Sequence, residues 1–224
     1  MFIRQIATVI LIATSLIYAP SVEAAEASLD QVIDGIESFY QGKDSLQVTF
    51  RQTVRKKYQP AGVDGAVRTG VAFFQKPGKM RWDYRTPEPV FYVSDGNVLW
   101  VYEAAENVAY KGNVKGSQLF GAMKFLFGAG SLKEEFAVRL GEENDREREV
   151  ILKSKAGESA YRSIRLFVDA KTSEIRKTVV VDPLGDRSEI VFEKIKYAPI
   201  SNAEWFNWTP ADDVRVEDLS KRGK

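Results

Sequence analysis

From Leu46 onward, apolar residues return at every second position, a spacing that a helix cannot bury and a half-covered sheet requires. Leu46, Val48 and Phe50 alternate with Gln47, Thr49 and Arg51. Met80-Trp82-Tyr84, Ile164-Leu166-Val168, Ile175-Lys177-Val179-Val181 and Ile190-Phe192 carry the same alternation. Turn signals separate these runs at Pro77-Gly78, Asp95-Gly96, Ala156-Gly157, Asp182-Pro183 with Leu184-Gly185, and Pro199. About ten short antiparallel strands joined by tight turns predict one large curved sheet or barrel. No internal repeat, low-complexity tract or linker divides the chain, so residues 25–224 are expected to form a single domain.

Two segments break that rhythm. Leu29, Val32, Ile33, Ile36 and Phe39 fall at helical spacing, Ser28 and Gln31 form a capping box, and Gly42 stands where a helix would stop. Residues 116–128 (GSQLFGAMKFLFG) are nearly uncharged, and Leu119, Phe120, Met123, Phe125, Leu126 and Phe127 fit a short, very apolar helix. Such a pair could plug an ordinary core. It could equally cover a removable cavity, since a sheet with one apolar face needs a cover and Met and Phe set among Gly121 and Gly128 make an adaptable one.

The N-terminus reads as an address. Arg4 precedes an apolar run from Ile6 to Ala19, Pro20 ends it, and Val22-Glu23-Ala24 offers small residues for cleavage. The run is shorter than the roughly 18–20 apolar residues of a membrane span, so residues 1–24 are expected to be a cleaved signal peptide and the product periplasmic.

Composition narrows the chemistry further. The 224 residues contain no His and no Cys, and 32 Lys+Arg balance 31 Asp+Glu to a net charge of +1. Imidazole- or thiol-dependent catalysis, His/Cys zinc sites and disulfides are thereby excluded, and the charge balance argues against nucleic acid as a partner. With no Cys after the leader, the chain cannot itself be acylated as a lipoprotein. The acidic stretch 142–149 lacks the glycine and the ligand spacing of a calcium loop. It and Arg55-Lys56-Lys57 read as solvated hairpin ends. No carboxylate pair stands out for a hydrolase. Neither enzyme activity, metal nor cofactor is expected.

The run Gly70-Val-Ala-Phe-Phe-Gln-Lys-Pro-Gly-Lys-Met-Arg-Trp-Asp-Tyr-Arg-Thr-Pro87, followed by Val93-Ser-Asp-Gly-Asn-Val-Leu-Trp-Val-Tyr102, resembles the signature region of the LolA family of periplasmic outer-membrane lipoprotein carriers. Phe50-Arg51-Gln52, Val181-Asp182-Pro183-Leu184-Gly185, and Phe206-Asn207-Trp208-Thr209-Pro210 extend the likeness over nearly all of residues 25–224, with residues 103–160 matching loosely. The resemblance implies an incomplete antiparallel β-barrel under a helical lid, with a hydrophobic cavity for acyl chains. It implies triacylated lipoproteins as cargo, an ABC-type inner-membrane transporter as donor, an outer-membrane receptor as acceptor, and a monomer. A sensor of stray lipid or lipoprotein, built on the same fold, is the alternative it allows.

Placed on that expectation, Met80, Trp82 and Tyr84 share one strand face and should line the cavity, with Tyr92 beside them. Ile33 and Ile36 from the first helix and Phe120, Phe125 and Leu126 from the lid segment complete the expected lining. The family's basic residue before the first motif proline, which holds the lid closed, falls on Lys76. The well-studied members carry Arg there, and Lys offers a point charge instead of a planar fork.

Overall fold

The computed structural model describes residues 27–60, 62–113, 131–155 and 161–219. The expected leader and the apolar segment 116–128, with Phe120, Phe125 and Leu126, lie outside them.

Helix α1 (Leu29–Gln41) forms where the apolar spacing places it. The Ser28 hydroxyl accepts from the Gln31 N–H, the Gln31 side chain accepts from the Ser28 N–H, and Gly42 follows the last turn. Then come β1 (Ser45–Arg55), β2 (Ala66–Gln75), β3 (Lys79–Thr86), β4 (Val90–Ser94), β5 (Val98–Glu103) and β6 (Val108–Asn113). A single-turn helix α2 (Leu132–Glu135) leads into β7 (Phe136–Glu143), β8 (Glu147–Ser154), β9 (Ser163–Asp169), β10 (Ile175–Val181) and β11 (Arg187–Lys196). A 3-10 turn at Ala203–Phe206 precedes β12 (Arg215–Asp218).

All twelve strands belong to one sheet in the order β12-β6-β5-β4-β3-β2-β1-β11-β10-β9-β8-β7. Its ends, β12 and β7, are edges, so the sheet is not closed, as an incomplete barrel requires. Two features depart from the alternation-based expectation. There are more strands than alternation reveals, because Val71-Ala72-Phe73-Phe74 and Val150-Ile151-Leu152 are buried on both faces and read as continuous apolar runs. And β12 joins β6 in parallel, which the long crossover from 197 to 214 makes possible.

Register carries one apolar face across the sheet. Phe50 lies opposite both Phe192 and Gly70, Phe74 opposite Met80, and Trp82 opposite Tyr92. On the other side Ile190 pairs with Thr178, Thr178 with Leu166, and Leu166 with Val150. Helix α1 covers the half built from β7–β10: Val32, Ile33, Ile36 and Tyr40 are buried with Leu132, Val150, Leu152, Leu166 and Val168. Val48, Phe50, Ala72, Phe74, Met80 and Trp82 form a second cluster on the other half, and Phe192 packs against both.

The opposite face of β2–β5 is covered by the chain between β11 and β12. Phe206 is buried against Val71 and Phe73, Trp205 sits edge-on to Phe73, and Trp208 contacts Phe91, Trp100 and Tyr102. The Arg81 guanidinium ties this strap down by donating to the Trp205 carbonyl while its Nε bonds Asp83. The acidic 142–149 stretch is only partly a solvated hairpin end. Glu149 is buried, accepts the Glu142 N–H, and pairs with Arg165 at 3.2 Å. It fills the space over Gly141, where a Cβ would lie 2.0 Å from its carboxylate.

Candidate functional site

Met80, Trp82, Tyr84 and Tyr92 come together, as the alternation predicts, on the half of the apolar face that α1 does not cover. Phe50 is the centre of the group, with ring centroids 4.6 Å from Trp82 and 5.1 Å from Tyr84. Phe74 stands 5.9 Å from Trp82, and Tyr84 stands 6.1 Å from Tyr92. Gly70 makes this packing possible, since a Cβ there would lie 2.1 Å from the Asp83 carbonyl and 2.6 Å from the Phe50 ring.

The patch is apolar with a few polar atoms at defined places. Burial pushes the Tyr84 hydroxyl up to about 12 and raises that of Tyr92, while the Arg68 guanidinium opposes both shifts. Arg68 lies over the Tyr84 ring at 5.7 Å. The Trp82 indole N–H is buried beside the Tyr84 hydroxyl, whose ionisation it favours against the effect of burial. Gln52 donates to the Ser188 hydroxyl at 2.7 Å, while its own carbonyl oxygen has no partner among the described residues.

Ile33 and Ile36 lie elsewhere. Both are fully buried under α1 against the β7–β10 half, separate from the Trp82 group. Lys76 links the two halves. Its Nζ donates to the carbonyl oxygens of Tyr40 at 2.8 Å and Gln41 at 3.0 Å, the last turn of α1, where a cation also meets the negative end of the helix dipole. Beside it a cleft holding about 270 Å³ of empty space, solvent-open part included, runs between Tyr40, Leu46, Phe74 and Lys76.

Tyr40 anchors the same helix end. Its hydroxyl accepts the Ile175 N–H at 3.1 Å, and burial raises it to about 12 against the lowering effect of that bond. Tyr197 donates to buried Glu174 at 2.7 Å and stacks edge-on with Phe39, and the Lys43 ammonium lies over both rings.

Val48, Phe50 and Phe74 belong to the patch but were not singled out by sequence. Phe50 sits in a recognisable alternating run, but which face it shares with Trp82 depends on the β1–β2–β3 register. The two-sided burial of β2 hides Phe74 from any alternation.

Residues 41–209 match the sequence profile of the outer membrane lipoprotein carrier protein LolA. The chain belongs to the LolA family. An outer-membrane lipoprotein carrier protein of Dechloromonas aromatica is 27% identical over 183 residues, spanning 80% of this chain and 83% of its own. One from Psychromonas ingrahamii is 31% identical over 153 residues, 66% of this chain and 70% of its own. Among solved structures, a conserved protein of Thermus thermophilus shares the fold at a TM-score of 0.55 and 12% identity, covering 86% of this chain and 99% of the other. The LolA match covers both faces of the Trp82 strand, Lys76 and the strap around Phe206. Among the described residues no group of three or more Asp, Glu, His or Cys could hold a metal.

Proposed function

We propose that this LolA-family protein carries the acyl chains of triacylated lipoproteins across the periplasm, taking them from an inner-membrane transporter and giving them to an outer-membrane receptor. Residues 1–24 serve as its export signal. The observation that carries this reading is the aromatic half of a continuous apolar sheet face, around Phe50 and Trp82, in a sheet that does not close. Met80, Trp82, Tyr84 and Tyr92 form the acyl-binding wall. Ile33 and Ile36 hold α1 in place, and Phe120, Phe125 and Leu126, which lie outside the described residues, are further acyl-contact candidates. Lys76 is the latch, and its two bonds to the end of α1 hold the closed arrangement.

Such a carrier has to open. Three acyl chains with roughly 40 methylenes, at about 0.8 kcal/mol each, would gain about 30 kcal/mol on full burial. Non-covalent affinity does not exceed roughly 20 kcal/mol, so part of the gain is offset by separating the wall from its cover or by leaving chain surface wet. The cleft beside Lys76 encloses about 10 Å³, room for about one water and none for an acyl chain. Loading therefore requires the sheet face and α1 to part, and the Lys76 latch sets how readily they do.

The test is mass spectrometry of the protein isolated from the periplasm under native conditions. A lipoprotein or its acylated N-terminal peptide, bound one to one and lost in Met80→Glu, is the expected result. Protein that is exported yet never carries acylated species, even when lipoprotein is overproduced, would contradict the reading.

A further inference from the structure

Two neighbouring turns at one end of the sheet display apolar side chains that the fold does not use. In the β1–β2 loop Tyr58 is 85% exposed and Val63 53%, and Leu184 in the β10–β11 turn is 75% exposed. Val67, where β2 begins, is 43% exposed. The two turns form one surface, because Lys56 pairs with Asp186 at 2.7 Å, the Lys57 N–H donates to the same carboxylate, and the Lys57 stem lies over Gly185.

The exposure is built in. Asp182 accepts the N–H groups of both Gly185 and Asp186, the Asp182 N–H donates to the Asp186 carbonyl, and Gly185 takes a φ of +95°. A turn this well bonded holds Leu184 outward. In the other loop the Gln59 amide donates to the carbonyls of Val63 and Asp64 and fixes the segment that bears Tyr58 and Val63.

Charge surrounds these tips. Arg55, Lys56, Lys57 and Arg187 lie at the bases of the two turns, and Arg55 and Arg187 sit directly opposite each other in the β1–β11 register. Facing like charges work against strand pairing, and Glu189, 3.5 Å from Arg187, offsets only part of that. Of the acids in the two turns, Asp182 and Asp186 are committed to backbone N–H groups and Lys56, which leaves Asp64. The Lys57 ammonium lies 4.9 Å from the Tyr58 ring, so the aromatic tip itself carries positive charge.

We infer that this end of the sheet docks on an anionic lipid surface, with Tyr58 and Leu184 entering the interface and Arg55, Lys57 and Arg187 meeting the head groups. Tyrosine suits the boundary between acyl and polar layers, a lone leucine on a rigid turn can enter it without exposing backbone, and basic residues are drawn to negative lipid. The surface is separate from the Trp82 wall, so it stands or falls independently of the cargo reading.

Co-sedimentation with vesicles tests it, using the protein in the form the cell produces, its N-terminus checked by mass. Binding to phosphatidylglycerol-containing vesicles, weak binding to pure phosphatidylcholine, and loss in high salt are expected. Tyr58→Ser with Leu184→Ser should lower binding at least about tenfold, and Arg55→Gln or Arg187→Gln about fivefold each. If the double variant does not fold, Leu184→Gln alone must weaken binding. Equal binding to both vesicle types, or unchanged binding by folded variants, would overturn the inference. So would a dimer that the same substitutions dissolve, which would assign the surface to a second copy of this chain.

Discussion

The Nζ of Lys76 lies 2.8 Å from the carbonyl oxygen of Tyr40, so the residue beside Pro77 on the β2–β3 hairpin closes the far end of α1. A helix with an acidic residue in its first turn and no basic residue in its last obtains its C-terminal cation from another element. The tether is a single flexible side chain, which suits a contact that has to break and re-form.

Replacing Lys76 with Leu removes a charge-assisted pair of bonds and should cost about 1–2 kcal/mol in urea unfolding. Hydrogen exchange of the last α1 turn should accelerate more than that of β1, because the loss is local. Lys76→Arg should restore protection, since a guanidinium can serve both carbonyls. Exchange that is unchanged in Lys76→Leu would remove the latch role.

The buried tyrosines make the fold sensitive to alkali. Tyr40 and Tyr84 are each raised from 10.0 to about 12 by burial. A group whose folded value lies above its unfolded one stabilises fully below pH 10, and that contribution is lost as pH rises toward 12. Each accounts for about 3 kcal/mol over that window. Unfolding followed by tyrosinate absorbance should therefore be cooperative and centred between those values. Tyr40→Phe should remove part of the alkaline loss, yet cost about 1–3 kcal/mol at neutral pH by leaving the Ile175 N–H without its acceptor.

How much of this was legible in the sequence depends on what each face of a strand touches. Ser28 and Gln31 announced the start of α1 because a capping box is local chemistry. The Met80-Trp82-Tyr84 face was legible because Lys79, Arg81 and Asp83 alternate with it. Arg81 and Asp83 are largely covered, however, with only 22% and 25% of their side chains exposed. They pair beneath the 203–208 strap, and a polar residue under a cover reads in sequence like one on a surface. The burial of Glu149 was hidden because its partners, the Glu142 N–H and Arg165 of β9, come together only through the strand register. That Phe50 belongs with Trp82 whereas Ile33 and Ile36 sit over the opposite half is a matter of register and helix placement, which no local pattern encodes.

The strap predicts a stability effect remote from the acyl wall. Phe206, the last residue of the 3-10 turn, is buried against Val71 and Phe73 of β2, so Phe206→Ala should cost about 3–5 kcal/mol. Limited proteolysis should then cut near residues 200–214 before it cuts β1. Acyl binding by the fraction still folded should be unaffected, because Val71 and Phe73 face away from Trp82.

Within the wall, Met80→Glu places a carboxylate in an apolar cluster. It should abolish acyl uptake and cost several kcal/mol, whereas the shape-conserving Met80→Leu should cost less than about 1.5 kcal/mol and keep uptake. Thermal melts beside a fluorescent acyl-probe titration separate the two effects.

Membranes containing a triacylated lipoprotein and its ATP-driven transporter, incubated with the purified protein and ATP, ask directly whether acyl cargo leaves the bilayer. The apolar wall around Phe50 and Trp82 predicts a water-soluble, one-to-one complex of lipoprotein and carrier that Met80→Glu cannot form. Cargo that stays in the membrane with the native protein, while an established carrier extracts it in parallel, would contradict the assignment.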